Sequence, residues 1–168
     1  SSLEDIKNEF QVDENKMERV MNGIDLKLFY PDSKIKKIPF RLVTVASADV
    51  PLKGLDYLLE ALCNLAKVYP DISLSIIGEQ REGGHTERLI KKLNLQKRVN
   101  FFSNLTEGDL RSTYCEAELA VIPSLYEGFG FAAIEAMACG VPLISTSGGA
   151  LPEVVKEAGI IIPPKKTK

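Results

Sequence analysis

Glu127-Gly128-Phe129-Gly130-Phe131-Ala132-Ala133-Ile134-Glu135-Ala136-Met137-Ala138-Cys139-Gly140-Val141-Pro142 is the stretch from which the rest of this chain is best read. A Gly-Phe-Gly bend leads into an apolar helix, and Val141-Pro142 opens the strand that follows it. Glu127 falls in the loop, and Glu135 falls about one and a half turns into the helix. The start of a helix offers unpaired N–H groups and the positive end of its dipole, which favour a phosphate. Carboxylates on either side can accept hydrogen bonds from sugar hydroxyls. The spacing therefore suits a ligand with an anionic centre and hydroxyls at both ends, such as a nucleotide-sugar. An acid near a helix start also stabilises the dipole, by a few tenths to about 1 kcal/mol. That accounts for one acid but not for the Gly-Phe-Gly before the other. Glu135 lies among Ala132, Ala133, Ile134, Ala136 and Met137, where an unpaired carboxylate is costly. It needs a partner, and ribose hydroxyls would serve.

Outward from this stretch, short β-rich runs alternate with helical patterns. Arg41 to Ser47, Ile72 to Ile77, Val99 to Phe102, Leu119 to Pro123, Pro142 to Ser145 and Gly159 to Ile162 read as strands. Gly54 to Val68, Thr86 to Leu93, Glu107 to Cys115 (capped by Thr106) and segments near 130–139 and 151–157 read as helices. Strict alternation predicts an α/β fold, a parallel six-stranded sheet covered on both faces. Ligands of such sheets sit beyond the carboxyl ends of the strands. The first thirty residues break the rhythm. Leu3, Ile6 and Phe10 suggest an amphipathic helix, and the run through Met17–Met21, Asn22-Gly23-Ile24-Asp25 and Phe29-Tyr30-Pro31 reads as a helix, a strand and a turn. A charged linker, Asp32 to Lys37, follows. One helix and one strand cannot bury their own apolar faces, so this piece should dock on the main domain or on a part of the protein outside this sequence.

With 168 residues, 45% apolar and 26% charged, the chain can bury one core. Its net charge of −2, with the signs interspersed, lacks the basic stripe of a nucleic-acid binder. Lys165, Lys166 and Lys168 form a small basic tail, read as solvated. No apolar run approaches the roughly 20 residues of a membrane span. Cys63, Cys115 and Cys139 are odd in number and far apart, which suits buried thiols in a reducing compartment, here the cytoplasm, and no metal cluster.

Lys53-Gly54 closes the loop after the first strand, where a point charge would meet a diphosphate. Alone it is a weak signal; beside the 127–135 run it gains weight. Gly148-Gly149 before Pro152-Glu153 is equally an ordinary turn and a phosphate-facing loop. His85, the single histidine, reads as a solvated loop residue.

Asn22-Gly23-Ile24-Asp25 with Phe29, Lys53-Gly54, Gly78 at a strand end, Val99-Asn100-Phe101, Pro123-Ser124-Leu125-Tyr126-Glu127-Gly128-Phe129-Gly130 with Glu135, and Gly148-Gly149 with Glu153 together resemble the group 1 (family 4 type) retaining glycosyltransferases. The likeness covers almost the whole chain in order and spacing. It implies a GT-B fold, in which two Rossmann-like domains face each other across a cleft, and makes this chain its C-terminal half. Residues 1–38 would then be the end of the N-terminal domain and the linker. Residues 39–168 would be the three-layer nucleotide-sugar-binding domain, truncated at its C-terminus, with one more domain's length, roughly 150 to 200 residues, upstream.

The resemblance also implies roles. Lys53 and Glu127 become the catalytic candidates, Lys53 neutralising the donor diphosphate. Glu127 with the backbone of Phe129, Gly130 and Phe131 would hold the transferred sugar and the distal phosphate, and Ser47 would line the same region. Glu135 would bind the ribose, and Phe102 and Ser103 would lie against the base. The nucleotide-sugar is a substrate, and neither metal nor other cofactor is implied. The acceptor would be bound mainly by the N-terminal domain, and peripheral membrane association of the full-length enzyme stays open.

The family usually carries Gly-Arg where this chain has Ser47-Ala48. Either Lys53 and the helix N-terminus stabilise the leaving diphosphate unaided, or another cation, Arg81, completes the site. The alternatives weighed are a GT-B nucleotide-sugar epimerase, a sugar phosphorylase and a non-catalytic sugar-nucleotide-binding module. A phosphorylase would need a Schiff-base lysine for pyridoxal phosphate that the sequence does not offer. A dinucleotide-dependent oxidoreductase is disfavoured because the loop after the first strand lacks Gly-x-Gly-x-x-Gly.

Overall fold

Runs of β-branched and apolar residues separated by helical periods give a sheet whose strands all point the same way, because each returns through a helix. The computed structural model describes residues 6, 7, 9–18, 20 and 22–164. Its strands are β1 (Arg41–Val45), β2 (Ser73–Ile77), β3 (Val99–Phe102), β4 (Leu119–Ile122), β5 (Leu143–Thr146) and β6 (Ile160–Ile162). They pair in parallel in the order β3-β2-β1-β4-β5-β6. The helices are α1 (Leu55–Leu65), α2 (His85–Lys92), α3 (Glu107–Cys115), α4 (Phe131–Ala138) and α5 (Leu151–Val155).

Side chains of a strand alternate between faces, and β1 shows the result. Leu42 joins a core with Leu58, Leu59 and Leu62 of α1 and Ile90 of α2. Val43 joins the opposite core, with Tyr114 and Cys115 of α3, Ala133 and Ala136 of α4, and Leu151 and Val155 of α5. The architecture is therefore the expected three-layer Rossmann-like one. The chain works outward from β1 to β3, then returns to place β4 on the other side of β1. At that reversal the helices after β1 and β4 pack on opposite faces of the sheet, the arrangement in which a ligand crevice is expected at the carboxyl ends of the strands.

Element ends shift for local reasons. β1 stops at Val45, yet Ala46 N still donates to Ile77 O at 3.1 Å and Ala48 N to Glu79 O at 2.9 Å, so the loops after β1 and β2 run side by side. α1 stops at Leu65 instead of Val68, where the hydrogen bonds tighten to a three-residue step, Val68 N donating to Leu65 O at 3.0 Å, and Val68 lies on the surface. Thr106 does cap α3, accepting from Asp109 N at 3.2 Å. Cys115 and Cys139 are buried as expected, and burial followed by the neighbouring Cys115 pushes the Cys139 thiol up to about 12. Cys63 is only half-buried, its Sγ donating to Leu93 O at 3.7 Å.

The strand expected in the first thirty residues is absent among those described. The Asp25 carboxylate accepts from Lys27 N at 2.8 Å, and its carbonyl accepts from Leu28 N and Phe29 N. This local pairing turns the chain where a ladder was anticipated. The turn delivers Phe29 into the core, edge-on to Tyr114 at 6.4 Å, with Ile24, Leu28 and Ile35 beside it. The segment thus docks on the main domain. Residues 6, 7, 9 and 10 are helical, but Ile6 and Phe10 are exposed. Leu3, Met21 and the lysines 165, 166 and 168 lie outside the described residues. No described helix is long and apolar enough to cross a membrane.

Gly54 joins the turn after β1 to α1 at φ 67°, and a Cβ there would overlap the carbonyl of Pro123 at the end of β4. Gly54→Ala should lower the unfolding free energy by about 2–4 kcal/mol through left-handed strain plus displacement of that carbonyl. A urea melt with an unchanged midpoint would show that the two loops do not depend on this contact.

Candidate functional site

The crevice between β1 and β4 is built from two loops locked together. After β1, Pro51 starts the 3-10 turn Pro51–Lys53, a position that suits its fixed φ. Leu125 N, after β4, donates to Leu52 O at 2.8 Å. This aligns Lys53 with Glu127, and Nζ sits 2.8 Å from Oε2. Ser124 Oγ, itself buried, donates to the same oxygen at 3.1 Å. The two expected catalytic residues therefore meet as one ion pair. With the Lys53 side chain 34% exposed and that of Glu127 18%, the pair adds up to about 1 kcal/mol to stability. Its significance is placement.

The loop after β5 supports Glu127 from behind. Thr146 Oγ1 donates to Ser124 O, and Ala150 N donates to Glu127 O at 2.9 Å. Gly149 is at φ 61°, and a Cβ at either Gly148 or Gly149 would run into the backbone of residues 124–127. The glycine pair thus has a purpose that neither sequence reading contained, namely clearance for the Glu127 loop.

Gly130 precedes α4 without a side-chain cap. Among the described residues, the N–H groups of Gly130, Phe131 and Ala132 have no protein acceptor. They form an open anion-receptive end beside the Lys53–Glu127 pair. The Phe129 and Phe131 rings meet at a tilt of 56° with centroids 4.8 Å apart, and Phe131 is half exposed. Glu135 lies in the second turn of α4, half-buried, and its Oε2 accepts from Tyr114 Oη at 2.7 Å. Tyr114 is fully buried. Burial, and secondarily the Glu135 charge, hold its phenol well above the usual range, so the proton stays on the tyrosine. Sequence reasoning missed this residue. The available signal was a tyrosine beside Cys115 at the apolar end of an otherwise polar helix, a ring that is buried there and whose hydroxyl must then find a partner.

Farther along the strand ends, Asp49 and Thr86 exchange hydrogen bonds. Thr86 N donates to Asp49 Oδ1 at 2.8 Å, and Asp49 N donates to Thr86 Oγ1 at 3.1 Å. The Thr86 amide, above all, holds the Asp49 carboxyl below its ordinary value, with smaller help from the Thr86 hydroxyl, the His85 amide and Arg81. Arg81, 76% exposed, approaches Asp49 Oδ2 at 4.0 Å. His85 is not merely solvated, since its Nε2 lies 2.7 Å from Asp56 Oδ2. Ser47 is exposed in the loop after β1. Phe102, half-buried, and Ser103, exposed, end β3, two strands from β1, roughly 10 Å away at normal strand spacing. Ser47, Lys53, Glu127 and residues 129–131 therefore stand in the loops and helix start that follow β1 and β4, Phe102 and Ser103 close β3, and Glu135 lies a turn farther along α4. Lys53 and Glu127 touch, and Phe102 and Ser103 stand apart at the sheet's far end.

Comparison with known proteins agrees with this fold. The family model "Glycosyl transferases group 1" matches residues 31–168. The MMP α-(1→4)-mannosyltransferase of Mycolicibacterium hassiacum is 41% identical over 159 residues, covering 95% of this chain and 38% of that protein. Sucrose-phosphate synthase from Thermosynechococcus elongatus superposes with a TM-score of 0.78 at 30% identity, over 99% of this chain and 44% of that one. The C-terminal domain of a glycosyl transferase group 1 protein from Francisella tularensis gives 0.70 at 28%, over 86% of this chain and 82% of that domain. This chain thus spans less than half of the mannosyltransferase and of the synthase.

Because its folded carboxyl pKa is depressed, Asp49 stabilises the fold above the unfolded value of about 4, and that contribution disappears as pH falls through the folded value. Asp49→Asn should melt lower than wild type at pH 7, and the gap should close below about pH 4. A constant gap across the acid range would mean that the charge plays no part.

Proposed function

The chain belongs to the group 1 glycosyl transferases, as the C-terminal domain of a GT-B fold, and on that premise we propose that it binds a nucleoside-diphosphate sugar for retaining transfer of the sugar to an acceptor. The observation that carries this reading is the Lys53–Glu127 pair beside the open N-terminus of α4. An incoming diphosphate competes with Glu127 for Lys53 and takes the N–H groups of residues 130–132. Glu127 is then released to accept a hydroxyl of the transferred sugar, near Ser47, Phe129 and Phe131. When the bond to the sugar breaks, negative charge grows on the departing diphosphate. Lys53 and the helix end, fixed beforehand by the loops around them, stabilise it without reorganisation. Arg81, exposed and 4.0 Å from Asp49 in the loop after β1, is the additional cation we assign to this task. Glu135 takes the ribose, and the base lies toward Phe102 and Ser103.

The name of the 41% identical relative, a mannosyltransferase, supports a hexose as the transferred group. Acceptor recognition belongs to another part of the full-length protein, whose end and linker we take residues 1–38 to be. Three free thiols fit a cytoplasmic setting. By itself the 168-residue chain binds nucleotide weakly and transfers little or no sugar.

In the full-length protein, Glu127→Gln and Lys53→Ala should each reduce sugar transfer at least about 100-fold, the scale of losing one preorganised electrostatic contact, with the circular dichroism spectrum unchanged. Turnover equal to wild type in either variant would leave the pair a structural one. Calorimetric titration with UDP, GDP and ADP identifies the base.

A further inference from the structure

We propose that Tyr114 is a positioning residue for nucleotide selection: its buried hydroxyl orients the Glu135 carboxylate to accept the ribose hydroxyls of the donor. The inference rests on the reading of Glu135 as the ribose acid and adds what aims it. A glutamate side chain has three rotatable bonds, and one on the rim of a crevice is free to turn into solvent. Here Oε2 is tied to Tyr114 Oη at 2.7 Å, and Tyr114 cannot follow a wandering partner. Its ring is fully buried and meets Phe29 edge-on at 6.4 Å. The phenol oxygen is thus a fixed point, set by α3 on one side and by the docked Phe29 turn on the other.

The direction of the hydrogen bond matters as well. Tyr114 keeps its proton, so it donates and Glu135 accepts. Every lone pair of the carboxylate that Tyr114 leaves unused is an acceptor, and the groups such an acceptor recognises are hydroxyl donors. A ribose presents two adjacent hydroxyls, and a 2′,3′-dideoxyribose presents neither. Removing the phenol hydroxyl leaves the size and apolar surface of the ring intact, but releases the carboxylate. Binding of a ribonucleotide must then order Glu135 at its own cost, whereas binding of a dideoxynucleotide never used it.

The test is calorimetric, on the full-length protein, with whichever of UDP, GDP and ADP binds tightest and its 2′,3′-dideoxy counterpart. Wild type should prefer the ribonucleotide at least tenfold. Tyr114→Phe should weaken the ribonucleotide roughly tenfold, as expected for a hydrogen bond to a charged group, and leave the dideoxynucleotide within twofold. In a Glu135→Ala background, adding Tyr114→Phe should change neither affinity, because the two residues act as one unit. Equal weakening of both nucleotides by Tyr114→Phe, or an additive loss in the double variant, would reduce Tyr114 to a packing residue and overturn the inference. A Tyr114→Phe protein that keeps the wild-type preference overturns it too. If wild type binds none of the three diphosphates, or binds the dideoxy form equally well, the functional reading of the site falls first, and this inference with it.

Discussion

The reversal of strand order beside β1 is the constraint on which the remaining features depend. Two adjacent parallel strands, β1 and β4, send their following helices to opposite faces of the sheet, and the loops between must still be held in register at their mouth. The chain achieves this with one amide, Leu125 N on Leu52 O, and with one missing side chain, at Gly54 against Pro123. Lys53 and Glu127 stand on the two lips of that junction. Their meeting follows from how the sheet is wound, and sequence distance has no bearing on it.

The two acids of the site show how environment divides labour between identical side chains. Glu127 has a cation and a hydroxyl for partners, so an anion arriving at Lys53 changes what Glu127 can do. Glu135 has a neutral buried phenol, a partner that an arriving anion does not compete for. One acid is exchangeable and the other anchored. Glu127 precedes the helix and Glu135 lies in its second turn, so the unsatisfied N–H groups of residues 130–132 fall between the two acids along the chain.

Much of this was legible in the sequence, for identifiable reasons. The alternation of β-rich and helical periods dictates the parallel sheet, and Gly-Phe-Gly before an apolar run marks the open helix end without any tertiary information. The misreading near Ile24 came from weighing apolar residues above Asp25, whose carboxylate captures a nearby amide and turns the chain. The Tyr114–Glu135 and Asp49–Thr86 contacts were invisible for a different reason. Each joins elements that only the folded sheet brings together, so no periodicity encodes them. Gly148-Gly149 illustrates the intermediate case: a turn was readable, but the crowding that forbids side chains there belongs to residues 124–127, on another strand's loop.

That crowding reaches beyond this one chain. Since the loop after β5 grips the loop after β4 through Thr146 and Ala150 and leaves no room for a methyl group at 148 or 149, the two loops behave as a single machined part. Any exchange of one loop would have to carry the other with it, for a borrowed 124–130 segment set against a foreign backrest would lose the alignment that brings Glu127 to Lys53.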